Sequence, residues 1–118
     1  MHVMFVVDDI YFFADFDLRA VVSFLRSDSR RFAFHLKLHP NVSYCHPADA
    51  EAVRPNLRSV EVSFDYMSEL YSCIVMEFDR SEGTFDWCYP WDLCGSVYRR
   101  RDVIRMVKAL EMRVSFLN

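Results

Sequence analysis

The apolar residues change their spacing from one segment to the next, and the first such segment is an unbroken run. Val3 to Val7 is apolar and rich in β-branched residues, and it stops at two adjacent aspartates, Asp8 and Asp9. A short continuous run of this kind is typical of a strand that is buried on both faces, as in a sheet covered by helices. The pattern predicts an interior strand that ends in an acidic turn.

Two later segments have helical spacing. Asp15 or Asp17 can cap a helix in which apolar residues recur at i, i+3, i+4 and i+7. Its apolar stripe consists of Leu18, Val21, Val22 and Leu25. A second amphipathic helix is predicted to open at Asp102, and its stripe consists of Val103, Ile104, Val107 and Leu110.

Strand spacing appears in the segments between the helices. Residues 32–38 alternate apolar and polar side chains, which predicts a half-buried strand with His35 facing away from the apolar side. Residues 60–64 alternate in the same way, whereas residues 66–78 fit either a helix or a strand. Strands and helices in this order, with a closing helix, indicate an α/β fold.

Composition narrows the class of protein. The 118 residues are 53% hydrophobic and 16% aromatic, which suits one globular domain, residues 1–118, with one core. Binding DNA or RNA would need a basic face, and because the net charge is −3 we expect no nucleic-acid partner. The apolar start is too short to span a bilayer, so we expect a cytoplasmic protein. The four cysteines include no CxxC pair, and we expect free thiols. A disulfide between Cys88 and Cys94 is the alternative that the sequence leaves open.

The pair Asp8-Asp9 is the sharpest chemical feature. Open α/β sheets place ligands at the carboxyl ends of their strands, and carboxylate oxygens bind Mg²⁺ or Mn²⁺ together with substrate phosphates. The alternative is that the acidic pair only terminates a strand, because Asp is common in turns.

A second group of candidates lies around an aromatic loop. Asp79, Glu82 and Asp86 are acidic residues close to Trp87. A carboxylate beside an aromatic wall can act as a general base toward a sugar hydroxyl, but solvated turn carboxylates are the commoner case. The rings of Trp87, Tyr89 and Trp91 can stack on a sugar or close the core.

The histidines and cysteines are weaker candidates. His35, His39 and His46 lie close together in the sequence and permit a metal site, but hydrogen-bonded or solvated histidines are more common. None of the cysteines has a recognisable histidine context that would make it a nucleophile.

Four segments in order resemble a bacterial family of GT-A-like glycosyltransferases that use nucleotide sugars. They are Val6-Val7-Asp8-Asp9-Ile10, then residues 36–45 (LKLHPNVSYC), then Asp86-Trp87-Cys88-Tyr89-Pro90, and finally residues 95–104 (GSVYRRRDVI). The resemblance covers nearly the whole chain. It implies a mixed sheet with flanking helices, as in the C-terminal half of the GT-A fold, without the N-terminal nucleotide-binding half.

The resemblance also implies roles. Asp8 and Asp9 match the family's paired-aspartate variant of the DxD motif, which would bind Mn²⁺ or Mg²⁺ on the diphosphate of a nucleotide-sugar donor; the acceptor stays unknown. Where the family reads Asp-Gly-His, this chain reads Cys94-Gly95-Ser96, so neither Cys94 nor Ser96 is assigned a role.

Half of a GT-A fold leaves a sheet edge unpaired, so we expect a homo-oligomer or a partner chain that completes it. Two rivals to the transferase remain. One is a non-catalytic interaction or structural domain that keeps the remnant fold. The weaker one is a small hydrolase that uses Asp79, Glu82 or Asp86.

Overall fold

A computed structural model describes residues 1–89 and 91–115, with side chains through residue 111. Pro90, the last residue of the Trp-x-Tyr-Pro resemblance, lies outside the described residues. The helices are α1 (Leu18–Ser27) and α2 (Arg100–Ser115). The strands are β1 (His2–Phe5), β2 (Ala33–His35), β3 (Tyr44–Cys45), β4 (Ala50–Glu51), β5 (Arg58–Tyr66), β6 (Glu69–Glu77) and β7 (Ser96–Arg99). Single 3₁₀ turns cover His46–Ala48, Arg80–Glu82 and Phe85–Trp87.

The central sheet has three strands in the order β1-β7-β2. Strand β7 runs antiparallel to both neighbours, so β1 and β2 run parallel to each other without touching. The predicted combination of helices and strands is present, but the mixed sheet is wrong, because every strand pair in the described part of the chain is antiparallel. The late strand β7 inserts between the two early strands, and a parallel contact between them is thereby prevented.

The predicted first helix is present, and Asp17 rather than Asp15 caps it. The Asp17 carboxylate accepts a hydrogen bond from the backbone N–H of Arg19 at 2.8 Å, which satisfies one donor of the first turn. The helix buries Val21, Phe24 and Leu25 against Val97 of β7. Burying such side chains contributes about 1.5–3 kcal/mol each, so this face anchors α1 to the sheet.

A long hairpin closes the other side of the core. Strands β5 and β6 pair along all nine residues, from Arg58 opposite Glu77 to Tyr66 opposite Glu69. The ambiguous segment 66–78 is therefore a turn followed by a strand. Met67 and Ser68 have positive φ angles of 50° and 67°, as a tight two-residue hairpin turn requires. The inner face of the hairpin places Val60, Val62, Cys73 and Val75 on the core.

Strand β1 differs from its prediction. It is shorter than the apolar run and only partly buried, with Met4 36% exposed. Val6, just beyond its end, is 46% exposed. In the order β1-β7-β2, β1 pairs with one neighbour, so it is an edge strand and not an interior one. Neither helix in the described residues has the length and apolar character that crossing a membrane requires.

Arg99 at the end of β7 holds the carboxyl end of α1. Its side chain is buried, and its guanidinium donates to the backbone carbonyls of Leu25, Asp28 and Arg31. It also forms an ion pair with Asp102 at 3.4 Å. The last carbonyls of a helix lack intrahelical partners and carry partial negative charge, so a buried cation satisfies them by hydrogen bonding and by charge.

Replacing Arg99 with Met should lower the free energy of unfolding by roughly 2–4 kcal/mol, because the carbonyls and Asp102 lose a buried charged partner. Urea denaturation followed by circular dichroism measures this. Arg30→Met is the matched control: the Arg30 side chain is 87% exposed in its pair with Asp28, and its loss should cost less than about 1 kcal/mol. Equal effects of the two substitutions would contradict the role given to Arg99.

Candidate functional site at the carboxyl ends of β1 and β2

The Asp8-Asp9 pair forms an exposed turn just beyond β1. The N–H of Ile10 donates to the carbonyl of Val7 at 3.3 Å and closes the turn. Both aspartates are exposed, and no ion pair involves either of them within the described residues. The turn predicted from the sequence is therefore present, with both carboxylates open to solvent.

Gly95 ties the ends of β1 and β2 together. Its N–H donates to the backbone carbonyl of Phe5 at 2.9 Å, and its carbonyl accepts from the N–H of Leu36 at 3.1 Å. Its φ of +73° lies in the left-handed region that glycine adopts without strain. The acidic turn after β1 and the residues after β2 consequently lie at the same end of the sheet, where α/β folds commonly place ligand sites.

A polar network lies beside this end, on the face of the sheet opposite α1. Ser96 donates from its hydroxyl to Asp92 at 2.6 Å and lies 2.7 Å from Nδ1 of His35. The ammonium of Lys37 lies 3.2 Å from a carboxylate oxygen of Asp92 and 3.2 Å from one of Asp86. Five side chains thus form one connected chain of hydrogen bonds and ion pairs. They come from β2 and the residues just after it, from β7, and from the loop between β6 and β7.

The charge states within the network follow from its contacts. Burial alone would raise the pKa of Asp92, but hydrogen bonds from Ser96 and Lys37 outweigh it and hold the pKa below its usual range. Burial also opposes the charge on Lys37, but its two carboxylate partners raise its pKa. The network therefore contains a carboxylate and an ammonium at neutral pH.

Burial lowers the pKa of His35, and the opposing effect of Asp92 is smaller. His35 is then a neutral imidazole at neutral pH. Because Ser96 gives its one hydroxyl proton to the Asp92 carboxylate, it can only accept from His35, which assigns the proton of the imidazole to Nδ1. The second ring nitrogen, Nε2, carries the lone pair.

Aromatic side chains hold Asp92 in place. The Tyr98 hydroxyl accepts from the N–H of Asp92 at 2.8 Å and donates to its carbonyl at 2.9 Å. The ring of Trp91 stacks on Tyr98 with centroids 4.9 Å apart, and Phe5 lies 5.2 Å from Trp91. Asp92 and Tyr98 were not among the residues selected from the sequence. The available signal was the alternation of Ser96 and Tyr98 with Val97, which indicates two different faces of β7.

The aromatic candidates have separate environments. Trp87 is 3% exposed, its Nε1–H donates to the carbonyl of Val42 at 3.1 Å, and its ring meets Phe78 edge-on. It closes the core over the loop, which was one of the two alternatives open from the sequence. Tyr89 is 47% exposed, and the Lys37 ammonium lies 5.6 Å from its ring centroid. Tyr89 thus presents an accessible ring beside the polar network.

The three acidic candidates also have different environments. Asp86 joins the network through Lys37. Asp79 accepts from the N–H of Ser81 at 2.9 Å and caps a 3₁₀ turn. Glu82 accepts from the N–H of Asn56 at 3.2 Å. Of the three carboxylates considered for a general base, the structure places Asp86 alone in the polar network.

His39, His46 and the cysteines do not form a site. His39 accepts from the N–H of Asn41 at 3.2 Å, and His46 packs against the ring of Tyr44. No disulfide joins any two of the four cysteines in the structure. Across the described ranges, no group of three or more His, Cys, Asp or Glu side chains is arranged to hold a metal ion.

Comparison with known proteins gives one informative match. Over 115 residues the chain is 30% identical to the bifunctional glycosyltransferase pgtA of Dictyostelium discoideum. The chain is related in sequence to a glycosyltransferase. The match covers 92% of this chain but only 14% of that protein. No family model matches the chain, and no solved structure matches it.

The pH dependence of stability tests the assignment of His35. Because burial lowers its pKa from 6.5, acidification protonates the unfolded chain before the folded one, and the free energy of unfolding falls as the pH drops below 6.5. His35→Asn keeps an N–H donor for Ser96 but cannot titrate. Between about pH 7.5 and 5.5, the free energy of unfolding of this variant should fall less than that of the wild type. The two decreases should differ by up to about 1 kcal/mol.

Denaturant titrations at several pH values measure this difference. His46→Asn is the control, because His46 is exposed and outside the network. A His35→Asn profile parallel to that of the wild type would show that His35 does not titrate as assigned.

Proposed function

We propose that this chain is part of a glycosyltransferase and that it binds a nucleotide-sugar donor through a divalent metal ion at Asp8 and Asp9. The observation that carries the proposal is the sequence match to pgtA, which extends over 92% of the chain. Because the chain spans 14% of that protein, we propose a contribution to donor binding and not a complete transferase.

The acidic turn suits such a metal ion. Two exposed carboxylates supply hard oxygen ligands, which Mg²⁺ and Mn²⁺ prefer. Mg²⁺ is commonly held by one or two carboxylates, with substrate phosphates and water as the other ligands, so a pair without a third protein ligand fits this mode. The bound ion would neutralise negative charge on the leaving diphosphate.

The neighbouring side chains suit the sugar and its acceptor. The exposed ring of Tyr89 offers a stacking surface for a sugar. Asp86 is the general-base candidate, and Lys37 holds its carboxylate at 3.2 Å. Asp86 belongs to the polar network and Tyr89 lies beside it. The network in turn lies at the end of the sheet that carries the acidic turn, which is why we propose these two residues for the sugar and its acceptor.

Calorimetric titration with Mn²⁺ and either UDP or GDP tests the proposal. The wild type should bind the nucleotide in the presence of Mn²⁺, and Asp8→Asn/Asp9→Asn should weaken this binding by about tenfold or more, since two metal ligands are lost. Glu61→Gln/Asp65→Asn removes the same charge from exposed positions on β5 and should bind like the wild type. Absence of binding by the wild type, or equal losses in the two variants, would remove the support for a metal site.

A second function, that of a non-catalytic interaction domain, is favoured by one observation. The outer face of β6 exposes Leu70, Ile74 and Met76, with exposed fractions of 73%, 64% and 47%. These residues share one face because they are spaced by even numbers along the strand. A second copy or another chain that covered this face would bury them.

Light scattering discriminates this alternative. An interaction domain should self-associate without metal or nucleotide, and Ile74→Asp should shift the population to monomer because it places a charge in the apolar contact. Val53→Asp makes a comparable change at another exposed apolar position and should leave the association unchanged. A strictly monomeric wild-type chain would count against the alternative.

A further inference from the structure

A basic groove lies at the opposite end of the central sheet from Asp8 and Asp9. It has a volume of about 580 Å³ and is formed where the start of β1 meets the end of β7 and the first turns of α2. The basic residues that line it are His2, Arg26, Arg99, Arg100, Arg101 and Arg105. Neither the proposed donor site nor the sequence match accounts for this groove.

Two of these arginines already have partners. Arg99 binds the end of α1 and pairs with Asp102, and Arg101 lies 3.6 Å from the same carboxylate. By contrast, Arg26, Arg100 and Arg105 are exposed and form no ion pair within the described residues.

Among the described residues, no acidic side chain lines the groove. The pKa of His2 is lowered by partial burial and then by nearby positive charges that include Arg26 and Arg99. The amino end of the α2 macrodipole adds further positive potential. The groove is therefore a local concentration of positive charge in a chain whose net charge is −3.

We propose that the basic groove binds a phosphate-bearing anion without a divalent metal. Guanidinium groups present planar forks of N–H donors that match phosphate oxygens in bidentate geometry. Like charges that converge from α1 and α2 on one concavity repel each other, and a bound anion relieves that repulsion. A diphosphate in solution and the phosphates of an anionic lipid surface share this chemistry, and separate binding measurements distinguish them.

Binding is measured in two arms without divalent metal at low ionic strength. The first arm titrates inorganic pyrophosphate by calorimetry. The second sediments the protein with vesicles of phosphatidylcholine, with or without phosphatidic acid. Binding in the first arm identifies a soluble phosphate site, and binding only to vesicles with phosphatidic acid identifies a lipid headgroup. Binding in neither arm would overturn the proposal.

Charge-matched variants test the location. Arg26→Gln/Arg100→Gln/Arg105→Gln should weaken binding at least about tenfold, because charged hydrogen bonds to the anion are lost. The control removes three exposed arginines elsewhere and should bind like the wild type; it is Arg30→Gln/Arg54→Gln/Arg58→Gln. Equal weakening in both triples would show that net charge, and not the groove, governs binding. Thermal melts confirm that each variant is folded.

Two further variants separate this site from the donor site and test the recognition mode. The Asp8→Asn/Asp9→Asn variant should bind the anion without metal as tightly as the wild type does. If this variant lost metal-free binding, the anion would lie at the acidic turn and not in the basic groove, and the proposal would be overturned. Substitution of Arg26, Arg100 and Arg105 by Lys keeps the charge but removes the forks. Weaker binding is expected, and unchanged affinity would overturn recognition through guanidinium geometry.

Discussion

Strand β7 is buried on both faces, and its side chains alternate between two unlike environments. Val97 and Arg99 face α1, where one packs in the core and the other binds the end of the helix. Ser96 and Tyr98 face the polar network and its aromatic neighbours. A one-residue shift of register would place the guanidinium among aromatic rings and the phenol against α1, so the register is strongly specified. The core and the candidate site are built by the same strand.

Strand β7 also fixes the side chains of the polar network in the candidate site. Tyr98 holds the backbone of Asp92 from both sides, and Asp92 in turn orients Ser96 and Lys37. A buried carboxylate is costly unless it is paired and hydrogen-bonded, and here both conditions are met. The acidic turn after β1 has no such support within the described residues. It is held through the backbone, by Gly95 at the end of β1, and its carboxylates stay open to ligands.

Local patterns in the sequence predicted part of the local structure. The Asp17 cap follows from side chains that lie within a few residues of each other. In the predicted stripe of α1, Val21 and Leu25 are buried but Leu18 is 50% exposed. Helix α2 begins at Arg100, two residues before its predicted start. The polar network could not be predicted in this way, because His35 and Ser96 are 61 residues apart and meet only through the pairing of β2 with β7. The same long-range pairing decides that the sheet is antiparallel. A short alternating segment does not indicate which other strand it pairs with. For the same reason, the sequence alone did not decide between a helix and a strand for residues 66–78.

The sheet separates charge along its strands. Acidic side chains gather where β1 ends, and guanidinium groups that have no ion-pair partner in the described part of the chain gather where it starts. The sum over the chain is only −3. A molecule of this kind has a permanent electric dipole moment that its isoelectric point does not reveal. In the field of any charged body it experiences a torque as well as a net force, so electrostatics selects which end approaches first. Added salt weakens that orientation once the screening length falls below the length of the sheet.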